Sequence, residues 1–304
     1  MDISVVIPTK DRPDALFKCI SSILNQKVLP NEVLIVDDGN LPGKFVSDIA
    51  KKTEATGIQF QYIKKDIPGL SMSRNIGASR AKSSVVLFLD DDVVLDREYV
   101  EVLKEDWEKH KQEGSLGGIG GVIKNIRKIT FMEKLFHGIF LLSSPAKWDV
   151  TDVGFQVWTT EVKKEEKVFY LPGGVTSFKK DLIAKIPFRQ LSPGRTPADD
   201  VEFFLKTKKQ GYYFILDPRA RLFHKQTPAA RENDFARGEK EGYNQCVIFS
   251  DNVEKNMLNY LKFCWSSTGW VLRQFLAGNL LKGAGMMKGY IGMIMMRTKE
   301  KRNG

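Results

Sequence analysis

Three consecutive carboxylates, Asp90, Asp91 and Asp92, close a short apolar run at residues 85–89. Adjacent anions repel one another, and a divalent cation among them relieves that cost. Oxygen donors select Mg2+ or Mn2+ over softer metals, and Mg2+ is commonly shared between one or two carboxylates and substrate phosphates. If the backbone stays extended, Asp90 and Asp92 point the same way. The plainer reading is a solvated acidic loop or a helix cap, because charge runs usually face water. Its place directly after a buried-strand pattern weighs against that reading. His224, at the end of another strand pattern, is a further metal-ligand candidate; a lone histidine is more often simply packed or exposed.

Other residues have spacings that suit chemistry. Asp199 and Asp200 open a helical stretch with Glu202 behind them. Paired carboxylates can leave one with a raised pKa, able to accept a proton; helix capping is the competing reading. Asp38, in Asp37-Asp38-Gly39, could accept from a base N–H or a ribose hydroxyl, although Asp-Gly also marks plain turns. Arg74 opens a helix after the Pro68-Gly69 turn, where it could pair with a nucleotide or with the acidic cluster.

These groups need strands to deliver them. Residues 3–7, 33–36 and 85–89 are apolar on both faces and end in polar or glycine residues, as buried parallel strands do. Helical stretches lie between and after them: 14–26 with a 3.6-residue apolar stripe, 71–82 and 97–110. The alternation predicts an α/β fold with a parallel sheet. Ligands in such sheets sit beyond the carboxyl ends of the strands, where Thr9, Asp38 and Asp90 to Asp92 fall. Residues 117–123 form a glycine-rich strand candidate, 125–168 show no clear pattern, and Leu171 to Gly174 make a tight turn. Helices are expected at 180–186 and 201–210, and a strand pair at 212–216 and 219–224 around Asp217-Pro218.

The chain has 304 residues and a net charge of +10. That balance favours anionic neighbours without choosing among them. Cys19, Cys246 and Cys264 have no paired spacing, so neither a zinc framework nor a disulfide scaffold is expected, and a reducing compartment is. The N-terminus runs straight into a strand pattern with no leader-like segment, so a cytoplasmic protein is expected. Residues 256–304 carry eight Lys or Arg against Glu300 alone. They contain no uncharged apolar run near the roughly 18–20 residues that cross a bilayer. Interfacial helices at the cytoplasmic face of a membrane are one reading; a helical pair packed on the main domain or on a second subunit is the other. The glycines at 117–121 lack the third glycine and the later acid of a dinucleotide fingerprint, and no P-loop is present.

Taken together, several motifs resemble glycosyltransferase family 2, inverting enzymes of the GT-A fold. They are residues 3–9 (ISVVIPT), 21–26 (SSILNQ), 32–39 (EVLIVDDG), 73–77 (SRNIG), 88–92 (FLDDD), 171–174 (LPGG) and 198–202 (ADDVE). The resemblance spans about residues 1–225. It implies a Rossmann-like, mostly parallel sheet flanked by helices, with a nucleotide-sugar donor half at 1–115, an acceptor half at 116–225 and a helical, basic and apolar segment at 226–304. It implies that Pro8, Thr9 and Arg12 line the donor pocket, that Asp38 takes the base N–H, and that Arg74 contacts the nucleotide. Asp90 or Asp91 would hold the ribose, and Asp92, with Asp90 and His224, a Mg2+ or Mn2+ on the diphosphate. Gly173 and Gly174 would form part of the acceptor wall, and Asp200 would be the general base with Asp199 beside it. The donor would be UDP-, GDP- or dTDP-linked and the acceptor a glycan or lipid-linked hydroxyl, with no nucleic-acid partner.

Two departures matter. Lys10 stands where many members carry an aromatic, which puts base stacking in doubt. The Gln/Arg-x-x-Arg-Trp motif of processive synthases is missing after Asp200, so one sugar per encounter is expected. A sugar-1-phosphate nucleotidyltransferase is the competing enzyme class, but residues 8–12 are not the glycine-rich loop it would need. A non-catalytic sugar- or nucleic-acid-binding module is the third reading; it predicts salt-steep oligonucleotide binding and no donor turnover.

Overall fold

The computed structural model describes residues 1–303 apart from 147, 159–161, 193–196 and 226–232, with side chains as far as 293. The amino-terminal part alternates as expected: β1 (Ile3–Thr9), α1 (Pro13–Leu24), β2 (Glu32–Asp37), α2 (Gly43–Glu54), β3 (Gln59–Lys64), α3 (Leu70–Arg80), β4 (Val85–Phe88), β5 (Val93–Leu95) and α4 (Tyr99–Lys109). Then come β6 (Leu116–Ile123), α5 (Phe131–Ile139), a small hairpin of β7 (Asp149–Val150) and β8 (Gln156–Val157), and β9 (Glu166–Val168). A single 3-10 turn (Gly173–Val175) leads into β10 (Thr176–Lys179), α6 (Lys180–Lys185), α7 (Asp199–Lys209) and β11 (Tyr213–His224). Three helices close the chain: α8 (Asp234–Asn252), α9 (Met257–Leu276) and α10 (Leu280–Asn303).

One nine-stranded sheet runs in the order β3-β2-β1-β4-β10-β6-β11-β5, with β9 also on β11. β3, β2, β1 and β4 are mutually parallel. β10 is antiparallel to both β4 and β6, and β6 is parallel to β11. The central strands are apolar on both faces because both faces are covered. Alternate residues feed two cores: Val6, Leu34, Val36, Val86 and Phe88 enter one, while Val5, Ile7, Val33, Ile35 and Leu87 enter the other. The period-2 geometry of a strand requires that split. Strand α/β connections of this kind place the polar strand ends along one edge.

The structure differs from the sequence reading at three points. Residues 213–224 form one strand, not a pair. Pro218 interrupts the ladder rather than turning the chain, and the register with β6 shifts between Asp217 and Arg221. The backbone at Asp91 and Asp92 turns instead of staying extended. Finally, neither Asp199 nor Asp200 caps α7: the cap position is Ala198, in left-handed backbone with φ 68°, and both acids lie in the first turn.

The carboxy-terminal helices share the main core. Cys246, Ile248, Phe249, Phe263, Trp270 and Met286 belong to the same buried cluster as Val6 and Phe88. Among the described residues, no helix is long and apolar enough to cross a membrane. α8 and α10 cross at backbone contact through two glycine pairs spaced i, i+4. A Cβ on Gly242 would lie 2.3 Å from the Met286 carbonyl oxygen, and one on Gly285 2.0 Å from that of Phe235. Neither backbone can withdraw alone. Gly285→Ala should therefore destabilise the protein by about 1–3 kcal/mol, the usual cost of overpacking. Gly292→Ala, in the same helix but with open space at its Cβ, should be neutral or stabilising by up to about 1 kcal/mol. Urea unfolding of the two variants checks the contrast.

Candidate active site

The carboxyl ends of β1, β2, β4 and β11 converge with the turn before β10 and the start of α7. Asp90, Asp92 and His224 offer donor atoms that all lie within 4.8 Å of one another. His224 Nε2 is 2.9 Å from Asp92 Oδ1 and 3.9 Å from Asp90 Oδ2. The turn at Asp91 and Asp92 makes this convergence: Lys225 N donates to the Asp92 carbonyl, which ties the end of β11 to the acidic loop. Asn125 grips His224 from the other side. Its Nδ2 donates to the His224 carbonyl at 2.8 Å and its Oδ1 accepts the His224 N–H at 3.0 Å. Two carboxylates and an imidazole form a mixed donor set that suits Mn2+ and tolerates Mg2+. The residues present fit the metal that the sequence resemblance implies.

Asp91 faces inward. Its Oδ2 accepts from Thr9 Oγ1 at 2.8 Å, and Arg12 Nη1 lies 2.9 Å from its Oδ1 and 3.3 Å from Asp92 Oδ2. Burial raises the Asp91 pKa, and the Thr9 hydroxyl and Arg12 oppose that rise. Thr9 and Arg12 thus hold the acidic loop itself, and half-buried Pro8 lies just before them. Asp38 is similarly engaged. It pairs with Lys65 at 2.9 Å and accepts from Ser73 Oγ at 2.6 Å and from Gly69 N at 2.8 Å. Its carboxylate therefore fixes the turn that starts α3, and through it Arg74.

Arg74 is buried between the two acidic groups. Its Nη1 lies 3.4 Å from Asp199 Oδ2, its Nη2 3.9 Å from Asp90 Oδ1, and its guanidinium 5.3 Å over the Phe188 ring. Asp199 also accepts from Ser71 Oγ at 2.8 Å. Asp200 receives the Tyr170 hydroxyl on Oδ2 at 3.0 Å. Burial, and then the Asp199 charge, push the Asp200 pKa up to about 6, against the pull of Arg74. The two neighbouring carboxylates therefore differ: one is tied to Ser71 and Arg74, the other is poised to take a proton near neutrality. Ala198, in its left-handed conformation, sets their direction at a cost of about 1–2 kcal/mol.

Gly173 and Gly174 lie between the metal candidates and this dyad. A Cβ on Gly174 would come 2.2 Å from Asp90 Oδ1, and one on Gly173 3.4 Å from Asp200 Cβ. The Gly174 carbonyl accepts the Asp90 N–H at 2.8 Å. Sequence reasoning therefore named residues that meet in space, but it missed Tyr170, Ser71, Lys65 and Asn125. Tyr170 directly precedes the Leu171 to Gly174 motif, which could have flagged it. Nothing local marks Asn125.

A second acidic group, Asp106, Glu165 and Asp217, also lies within reach of one ion. Arg219 already bridges it, with Nη2 at 2.6 Å from Asp106 and 2.8 Å from Asp217. Burial, then the Asp217 charge, raise the Asp106 pKa to about 7.

The family profile described as glycosyl transferase family 2 matches residues 4–169. The chain belongs to glycosyl transferase family 2. One relative is the poly(ribitol-phosphate) beta-N-acetylglucosaminyltransferase TarP of Staphylococcus aureus, 24% identical over 84% of this chain and 74% of that protein. Another is the glucosyl-dolichyl phosphate glucuronosyltransferase of Haloferax volcanii, 24% identical over 82% and 77%. Among solved structures, S. aureus TarS 1–349 in complex with UDP-GlcNAc superposes with a TM-score of 0.57 at 16% identity, over 90% of this chain and 73% of that one. GalNAc-T7 with UDP, GalNAc and Mn2+ gives 0.63 at 13% identity, over 82% and 48%. The fold of this family member is GT-A.

The close approach at Gly174 gives a test. Gly174→Ala should displace the Asp90 carboxylate and weaken Mn2+ binding about 10–100-fold, the range for a disturbed metal surround. Titration calorimetry with Mn2+ checks it; unchanged affinity would show that Asp90 holds no metal.

Proposed function

We propose that the protein transfers one sugar from a nucleotide-diphospho-sugar to an acceptor hydroxyl, with inversion and with Mg2+ or Mn2+ bound. The observation that carries this reading is the pairing of a metal-suited trio, Asp90, Asp92 and His224, with a proton-accepting carboxylate, Asp200, across Arg74 and the two glycines. Family membership supports the reaction class, and relatives of the same fold were crystallised with UDP-GlcNAc, with UDP and Mn2+, and with GDP-mannose and Mn2+. The base and the sugar stay open among UDP-, GDP- and dTDP-linked donors.

In this reading Asp200 accepts the proton of the acceptor hydroxyl. The oxygen then attacks the anomeric carbon on the face opposite the nucleoside diphosphate. The bond to the diphosphate breaks as the new glycosidic bond forms, and the configuration inverts. Asp90, Asp92 and His224 would hold the cation, which when bound supplies positive charge for the departing diphosphate. Arg74 adds fixed positive charge close by without reorganisation. Tyr170 keeps Asp200 oriented. Gly173 and Gly174 leave room for the acceptor beside both groups. The acceptor in this reading is a glycan or lipid-linked saccharide, in glycan, polysaccharide or glycolipid biosynthesis.

Asp200→Asn should lower kcat by about 10²–10⁴-fold while donor affinity survives. Near-wild-type turnover of that variant would remove the base assignment. The wild-type rate should fall as pH drops through about 6, because the raised Asp200 pKa makes the inactive protonated form dominant below it; a kcat–pH profile checks the limb. EDTA should abolish transfer, and Mn2+ or Mg2+ should restore it. Full turnover in chelator, by a protein shown to contain no metal, would overturn the metal role.

A further inference from the structure

We infer that α5 and the outer face of α9 form one docking surface for an anionic lipid bilayer. α5 buries none of its residues in the protein; its own capping box, between Thr130 and Glu133, holds its start. Phe131, Met132, Leu135 and Ile139 are all exposed, Phe131 to 78%, and their spacing puts them on one stripe. α9 repeats the pattern. Leu258, Leu261, Trp265, Leu272 and Leu276 are exposed, Leu276 to 71%, at intervals of one helical face, while Phe263 and Trp270 point into the core.

The two stripes are joined. Trp265 Nε1 donates to the Ile139 carbonyl at 2.7 Å, and its ring stacks on Phe140 with centroids 5.0 Å apart. The surface continues over the α9–α10 turn through exposed Leu280 and Leu281. So many large apolar side chains exposed on two joined helices are unusual on a protein that leaves them in water.

Charge chooses the occupant. Across residues 127–141 and 255–281, Arg127, Lys128, Lys134, Lys255, Lys262 and Arg273 stand against Glu133 alone. Beside α5 a cavity of about 700 Å³ adds Lys163 and Lys164 at its lining, against Glu166, with Trp158. A second copy of the chain would set like charges face to face across a two-fold contact. Anionic headgroups complement them, and apolar side chains flanked by Trp, Tyr and Lys are the composition of helices lying in a bilayer interface. With no membrane-crossing helix among the described residues, the contact would be peripheral. The platform also has a fixed place relative to the site: Asn125, which clasps His224, lies six residues ahead of α5. A docked protein would hold the site within a short stretch of chain of the lipid surface, which favours a lipid-linked acceptor; that consequence rests on the glycosyl-transfer reading, whereas lipid binding does not.

The test is flotation of the full chain with vesicles of phosphatidylcholine alone or with roughly a third phosphatidylglycerol. The protein should float with the anionic vesicles, much less with the neutral ones, and progressively less as salt rises. The variant Phe131→Asp/Leu135→Asp/Leu261→Asp/Leu272→Asp changes only exposed side chains and should lose at least about tenfold in partitioning. Lys128→Gln/Lys262→Gln keeps the stripe and should lose the anionic preference. Wild-type protein that stays in the bulk with both vesicle types overturns the inference, as does an aspartate variant that floats like wild type. Light scattering that shows a wild-type oligomer and a monomeric aspartate variant, with neither floating, would assign the surface to self-association instead. Donor turnover on a soluble acceptor runs in parallel: retained turnover shows that the variants are folded. A chain that floats but transfers no sugar would overturn the proposed function and leave the docking intact.

Discussion

Like charge, crowded at one edge of the sheet, is the constraint that organises this protein. Asp90, Asp91, Asp92, Asp199 and Asp200 all converge where the strands end. Left unbalanced, five carboxylates at this separation would oppose folding. The chain answers with guanidinium groups inserted between them: Arg12 bridges Asp91 and Asp92, and Arg74 sits between Asp90 and Asp199. Enough negative charge is left at Asp90 and Asp92 to suit a divalent cation. Burial, and then the Asp199 charge, raise the Asp200 pKa to about 6, so the packing that encloses this edge also sets the acid–base character of the site.

Much of this could be read from the residues. The two-faced apolar runs of β1, β2 and β4 announce buried parallel strands, and the acids after them fall where the topology puts ligands. The family resemblance implies that Arg74, Asp90 to Asp92, Gly173, Gly174, Asp200 and His224 share one site, and the structure brings these residues together. What Asp38 and Arg12 touch was not legible in this way. The resemblance assigns both to the donor pocket; the structure adds the neighbours that hold them in place, Lys65, Ser73 and Gly69 on Asp38 and Asp91 and Asp92 on Arg12. Motif position says that a residue is near a site; only coordinates say which neighbour satisfies it.

Other elements were hidden for identifiable reasons. β3 is an edge strand with half-exposed residues, so it lacks the apolar run that exposed its neighbours. β7, β8 and β9 are two or three residues long, too short for any periodicity to show. α5 was legible in principle, because Thr130 and Glu133 have the spacing of a helix start. Pro218 looked like a turn because proline breaks ladders, but here the ladder slips and resumes. The α8–α10 crossing depends on glycine pairs separated by more than forty residues in the chain, a relation that no local window holds.

The order of the strands has a mechanical consequence. Residues 1–115 and 116–225 are not two lobes on a hinge. β10, from the second stretch, is inserted between β4 and β6, and β5, from the first, is carried to the far edge on β11. Interleaved in this way, the two stretches cannot swing apart without tearing hydrogen-bonded ladders. Substrates must arrive and products leave past the loops at the strand ends, with the sheet itself as a stationary bed. The groups that meet a substrate are then carried by those loops and by the start of α7, on a bed that does not move.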